Sequence, residues 1–207
     1  MTKKLKRIII ATGGTGGHIF PAYSLAKHFI SKKISVQIVS DDRGLKYLKH
    51  YKDIKIIKIN SATIFKKNIF QLLFSTLVIS FSILKSFILL KINKPDLIFG
   101  MGGYSSFPIC LAAKMSGIPF IIYENNLHIG KANKYLLPYA EKIFVSYDEL
   151  EGISQKYKEK ICKIGNIIRE EILNFQIKPK INQKDQKLCL LLHHQLIQVN
   201  SGLTMIL

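Results

Sequence analysis

The residues best able to do chemistry in this chain lie at three points where an apolar run stops. At the first, Thr12-Gly13-Gly14-Thr15-Gly16-Gly17-His18 follows Ile8-Ile9-Ile10-Ala11 and precedes a helical pattern. Four glycines in five positions exceed what a strand-to-helix turn requires. They let the backbone approach a ligand closely while the free N–H groups of the new helix face it, and the guest suited to that arrangement is a phosphate. At the second point, the run at 97–99 enters Gly100-Met101-Gly102-Gly103-Tyr104-Ser105-Ser106. At the third, the run at 118–123 ends in Glu124-Asn125-Asn126, polar groups at the carboxyl end of a buried strand, where open α/β sheets place ligands.

The usual nucleotide fingerprints do not fit the first turn. After Gly14-Thr15-Gly16 the position three further on is Ile19, which breaks the dinucleotide G-x-G-x-x-G spacing, and no Lys-Ser/Thr pair follows as in a P-loop. Asp41-Asp42 has no further carboxylate or histidine at useful spacing, so no metal is expected there. Cys110, Cys162 and Cys189 are odd in number and far apart, which suggests neither a disulfide framework nor a C-x-x-C metal site and fits a reducing cytoplasm.

These turns need elements to carry them. A strand is expected at 7–11, apolar throughout as for a parallel strand buried on both faces. Ala22, Leu25, Ala26, Phe29 and Ile30 then recur at helical spacing, with Pro21 near the start, where a missing N–H does no harm. Further strands are expected at 34–39, 54–59, 97–99, 118–123, 143–147 and 161–164, and further helices at 108–116, 131–139 and 169–175. The alternation predicts an α/β fold: a Rossmann-like parallel sheet with helices on both faces.

With 207 residues, 48% of them hydrophobic, the chain can bury a sizeable core. Its 31 basic and 13 acidic residues leave a net charge of +18, which points to nucleic acid, an anionic membrane surface or a phosphorylated substrate. Only Arg7, Arg43 and Arg169 are arginine, and a reader of bases leans on arginine's fork, so no nucleic-acid partner is expected. The basic N-terminus has only a short apolar run and no small-residue cleavage site, and no signal peptide is expected. The most hydrophobic stretch, 69–90, contains Lys85, which leaves the clean run short of the roughly 20 residues that a membrane span needs. On a helical wheel Gln71, Ser75, Ser82 and Ser86 form one narrow stripe beside a very wide apolar arc. Such a helix is expected to pack one side on the sheet and rest another on a bilayer, with Lys66, Lys67, Lys85, Lys91 and Lys94 near anionic headgroups.

GGTGGHIFPAYSLA, KPDLIFGMGGYSSFP, YENN with Asn133 after it, and GNIIR occur in that order between Arg7 and about Phe175. Together they resemble the MurG family of glycosyltransferases. The resemblance implies the amino-terminal, acceptor-binding lobe of a two-lobed GT-B fold. It implies transfer of N-acetylglucosamine from UDP-N-acetylglucosamine to lipid I, the undecaprenyl-pyrophosphoryl-MurNAc-pentapeptide, giving lipid II for peptidoglycan. The place implied is peripheral, on the cytoplasmic face of the bacterial inner membrane, and neither cofactor nor metal is implied. Thr15, Gly16, Gly17, Asn126 and Arg169 match residues of the UDP-sugar site, whereas Gly13, Gly14, Gly102, Gly103, Tyr104 and Asn133 match the acceptor side. An inverting transfer of this kind needs a base for the acceptor hydroxyl and dipolar groups for the departing UDP. His18 and Glu124 are the candidate catalytic residues. The alternatives are a His18 satisfied at a helix start and a Glu124 that holds a sugar hydroxyl or its own loop. The chain departs from the family pattern at Tyr123, where histidine is usual, and at Ile167, where Gly165-Asn166 is usually followed by proline.

The expected organisation is an acceptor lobe at 1–177, a polar linker at 178–187, and at 188–207 the aberrant start of an incomplete donor lobe. That leaves two expectations: a transferase that needs a donor lobe, such as one encoded separately, or a non-catalytic, membrane-peripheral module that binds the lipid-linked acceptor.

Overall fold

The computed structural model describes residues 5–61 and 69–168. Seven strands form one sheet in the order β3-β2-β1-β4-β5-β6-β7, every neighbouring pair parallel. They are β1 (Arg7–Ala11), β2 (Ser35–Ser40), β3 (Lys55–Lys58), β4 (Leu97–Gly100), β5 (Phe120–Glu124), β6 (Lys142–Val145) and β7 (Ile161–Lys163). Between them run α1 (Gly16–Ser31), α2 (Asp42–Leu48), α3 (Ile69–Asn93), α4 (Ser106–Met115) and α5 (Lys131–Leu136), with a 3-10 turn at Gln155–Lys160. The period-2 alternation within the strands divides the core. Ile8 and Ile10 of β1 face α1 and α2 with Leu25, Phe29 and Leu48, while Ile9 and Ala11 face the opposite layer, with Leu90, Ile109 and Leu136 of α3, α4 and α5. Strand order reverses between β1 and β4, so the chain leaves their carboxyl ends in opposite directions and opens a crevice there.

One local expectation is corrected, and one helix is added to those expected. Pro21 is not at the helix start but inside α1, five residues beyond Gly16. It has no N–H to give the Gly17 carbonyl, and that carbonyl instead accepts from Asn125 Nδ2 at 3.3 Å, tying the loop after β5 to α1. The short helix α2 was absent from the periodicity because seven residues give too few repeats, yet its Asp41 N-cap accepts from the Gly44 N–H at 2.9 Å.

Helix α3 is built inside out. Its buried positions are Ser75, Ile79, Ser82, Ser86 and Leu90, so the serine stripe faces the protein. Ser82 Oγ donates to the Asn60 carbonyl at 2.7 Å and Ser86 Oγ to the Ser82 carbonyl at 2.6 Å, and these small residues let α3 lie close against α4. Phe70, Leu73, Phe74, Leu77, Phe81, Leu84, Ile88 and Ile92 point outward, each more than half exposed. By length and composition α3 could cross a membrane: its 18-residue most apolar stretch has a mean hydropathy of 2.1 and is only 22% buried. In the fold it stands between β3 and β4 in chain order and packs against α4.

Candidate functional site

The two glycine turns emerge side by side because Ala11 pairs with Gly100 at the ends of β1 and β4, and the Met101 N–H extends the ladder to the Ala11 carbonyl at 2.8 Å. Gly102 and Gly103 then take left-handed φ values of 84° and 75°. A Cβ on Gly102 would lie 3.1 Å from His18 Cε1, and one on Gly103 would lie 3.1 Å from the Gly13 carbonyl oxygen. Glycine is thus required twice over, by dihedral angle and by the close approach of the first turn and the imidazole. The first turn leads into α1, whose N-cap Thr15 makes no side-chain cap bond and whose first turn carries no acidic residue. The N–H groups of Gly16 and Gly17 therefore keep their positive end of the helix dipole open to a ligand.

His18 sits between the two turns. Its Nδ1 is buried with no partner at hydrogen-bonding geometry. Burial holds the imidazole below its ordinary pKa, against the opposing pull of the Glu124 charge and a weak backbone contact at Met101. The ring is accordingly neutral near pH 7 and able to accept a proton.

Asp41, whose pairing with Asp42 offers no metal site by spacing, clamps the first glycine turn. The residue is 3% exposed. Its Oδ1 accepts from the N–H groups of Gly14 (3.1 Å) and Gly44 (2.9 Å), and its Oδ2 from Ser61 Oγ (2.9 Å) and from Arg43 Nε and Nη2 (3.2 and 2.9 Å). Burial pushes the carboxyl up, and the Gly44 and Gly14 N–H groups with Arg43 and Ser61 outweigh it, leaving the pKa below the usual carboxylate range. The available signal was Ser40-Asp41-Asp42 at a strand end, an N-cap pattern.

Glu124, 2% exposed, is equally committed. Oε1 accepts from Asn126 N (3.1 Å) and Asn126 Nδ2 (2.8 Å), and Oε2 from Gly130 N (2.8 Å) and Asn133 Nδ2 (3.0 Å). Asn133 is buried and also donates to the Tyr123 carbonyl at 3.1 Å, and its Nδ2 lies 3.7 Å from where a Cβ on Gly102 would stand, so it ties the base of this loop beside the second glycine turn. Asn126 is exposed at the rim, and Tyr104 is half-buried beside Gly103. The two departures at Tyr123 and Ile167 meet: the buried Tyr123 hydroxyl lies 2.9 Å from Ser146 Oγ and accepts from the Ile167 N–H at 3.3 Å. A proline at 167 would have no N–H to offer.

The structure thus brings Gly13, Gly14, Thr15, Gly16, Gly17, His18, Gly102, Gly103 and Tyr104 to one crevice, with Asn126 beyond Glu124 on the neighbouring loop. Arg169, the segment 178–187 and the segment 188–207 lie outside the described residues.

Residues 8–145 match the model of the glycosyltransferase family 28 N-terminal domain. Similar curated proteins are named UDP-N-acetylglucosamine--N-acetylmuramyl-(pentapeptide) pyrophosphoryl-undecaprenol N-acetylglucosamine transferase. The one from Pelagibacter ubique (strain HTCC1062) is 35% identical over 169 residues, covering 82% of this chain and 47% of the relative. The one from Francisella tularensis subsp. tularensis (strain FSC 198) is 37% identical over 187 residues, covering 87% and 50%. The chain therefore spans about half the length of the curated relatives it matches. Among solved structures, MurG of Acinetobacter baumannii shares the fold with a TM-score of 0.64 at 23% identity, over 84% of this chain and 50% of that one. A glycosyltransferase from Rickettsia africae ESF-5 does so with a TM-score of 0.61 at 19% identity, over 90% and 49%.

Proposed function

Since this chain belongs to glycosyltransferase family 28 through its N-terminal domain, we propose that it is the acceptor-binding lobe of an N-acetylglucosaminyltransferase of peptidoglycan synthesis. The acceptor is lipid I and the donor UDP-N-acetylglucosamine. The observation that carries this reading is the convergence of two glycine turns and a neutral histidine at the open N-terminus of α1.

Gly13, Gly14, Gly102 and Gly103 cradle the acceptor diphosphate through backbone approach. His18 takes the proton from the acceptor hydroxyl as its oxygen attacks the anomeric carbon and the bond to UDP breaks with inversion. Thr15, Gly16, Gly17 and Asn126 are assigned to the donor side, and Arg169, outside the described residues, is assigned to the same substrate. Glu124, with all its lone pairs engaged by the protein, is assigned to holding the 124–133 loop and not to proton transfer. The outward face of α3, with Lys85, Lys91 and Lys94 on or beside the helix, rests on an anionic bilayer as a peripheral contact on the cytoplasmic side.

A soluble lipid I analogue titrated into the 207-residue chain is expected to bind, and Gly103→Val to abolish binding by driving a side chain into the Gly13 carbonyl. Undiminished binding by that variant refutes the cradle. Most charge stabilisation for the leaving UDP is assigned to a donor lobe, and losing one such contributor costs about a hundredfold to a thousandfold in rate. The 207-residue polypeptide assayed alone is therefore expected to show no measurable transfer, with turnover appearing when a donor lobe is added.

A further inference from the structure

Among the described residues, His18 Nδ1 and Asn133 Oδ1 are both buried without a hydrogen-bond partner. The second glycine turn brings the two side chains to one place, since a Cβ on Gly102 would lie 3.2 Å from His18 Nδ1 and 3.7 Å from Asn133 Nδ2. Gly102 has no side chain to fill the space between them.

The Asn133 amide is not free to turn. Its Nδ2 donates to the Tyr123 carbonyl at 3.1 Å and to Glu124 Oε2 at 3.0 Å, and a flipped amide would set Oδ1 against both of these acceptors. Oδ1 therefore needs a donor from another direction, and a residue only 2% exposed does not find one in bulk solvent. The nitrogen across Gly102 can supply it. One water between the imidazole and the amide satisfies both atoms, as buried waters do for polar groups that cannot quite meet. Asn125 Oδ1 is unpartnered as well, but its Nδ2 is tied to the Gly17 carbonyl.

We propose that Asn133 is a positioning residue for His18. The imidazole Nδ1–H donates to a water beside Gly102, and that water donates to Asn133 Oδ1. The tether keeps the ring proton on Nδ1 and leaves the Nε2 lone pair for the acceptor hydroxyl. When Nε2 takes the hydroxyl proton, the Nδ1 proton stays where it is. The charge on the imidazolium is then met, through the water, by an amide that the Glu124 carboxylate already polarises. The proposal rests on the reading of His18 as the base and adds the residue that sets its tautomer.

The tautomer is read from long-range nitrogen–proton couplings of the histidine rings in the isotope-labelled 207-residue chain, at about pH 8, where an ordinary histidine is neutral. The His18 signal is identified by its loss in His18→Gln. Wild type is compared with Asn133→Ala, with Asn133→Asp, which keeps an oxygen acceptor and can share a proton with Glu124, and with Asn125→Ala. Thermal unfolding checks that each variant is folded.

Wild type should carry the proton on Nδ1. Asn133→Ala should move the ratio of the two tautomers about fivefold toward Nε2–H, the effect of one ordinary hydrogen bond, while Asn133→Asp and Asn125→Ala leave it near the wild-type value. A His18 protonated on Nε2 in wild type overturns the proposal with no variant needed, so it stays testable even where a substitution prevents folding. An unchanged ratio in Asn133→Ala also overturns it, because a residue that only held the loop would behave that way. So does an equal shift in all three variants, which a general loosening of the loop would produce. None of these outcomes touches the acceptor lobe; that reading falls if the lipid I analogue fails to bind, a result that leaves the tautomer as measured.

Discussion

Replacing Asp41 by alanine removes the acceptor for two backbone N–H groups, the buried one of Gly44 and the part-buried one of Gly14, and for the Ser61 hydroxyl. Each orphaned buried donor costs about 1–3 kcal/mol, and the Gly44 share already contains the N-cap effect, so the two backbone groups together set the scale at roughly 3 kcal/mol. Arg43 adds little to this figure because its side chain is 59% exposed and solvent screens the pair. In a domain of this size that corresponds to a fall in Tm of roughly 6–12 °C. Asp41→Asn keeps one carbonyl oxygen for the two N–H groups and should cost less, roughly 1–2 kcal/mol. The assay is thermal and urea unfolding of wild type and both variants across a pH series. The folded-state pKa of Asp41 is depressed, so between the unfolded and folded values the unfolded chain binds more protons. The stability Asp41 contributes is therefore complete above the ordinary carboxylate range, near pH 3.9, and is lost as pH falls below it. The gap between wild type and Asp41→Asn should narrow in that acid window. An Asp41→Ala variant within about 0.5 kcal/mol of wild type at pH 7 would refute the clamp, as would a gap that stays constant on acidification.

The His18 imidazole should titrate by NMR below 6.5, the value for an unperturbed histidine, and Glu124→Gln should lower it further by removing the charge that favours protonation. A midpoint above 6.5 refutes that account; the same shift makes protonation of His18 destabilising as pH falls below 6.5. On the membrane side, the chain should sediment with anionic liposomes in a salt-sensitive manner, and Leu73→Ser, Leu77→Ser and Leu84→Ser together should weaken that binding. Equal sedimentation of wild type and triple variant would remove α3 from the interface.

Much of this protein was legible in one dimension because its signals are local. A run of three or four apolar residues before each glycine turn announces a strand buried on both faces, and the period of 3.6 in 22–30 announces the helix that follows the first, so the alternating α/β order needs no tertiary information. The glycine turns and His18 were visible for the same reason, as residue types that only a close backbone approach demands. What tertiary structure alone decided are the pairings across long separations. Asp41 reaches Gly14 across 27 residues, and Asn125 reaches Gly17 across 108. No period in the sequence encodes such contacts, because they exist only once β1, β2, β4 and β5 are set side by side. The orientation of α3 belongs to the same class. Its wheel shows a serine stripe and a wide apolar arc, but which of them faces inward depends on what it meets, and close packing against α4 favours small side chains there. The apolar residues are left on the outside, the reverse of what hydrophobicity by itself dictates for a helix in water.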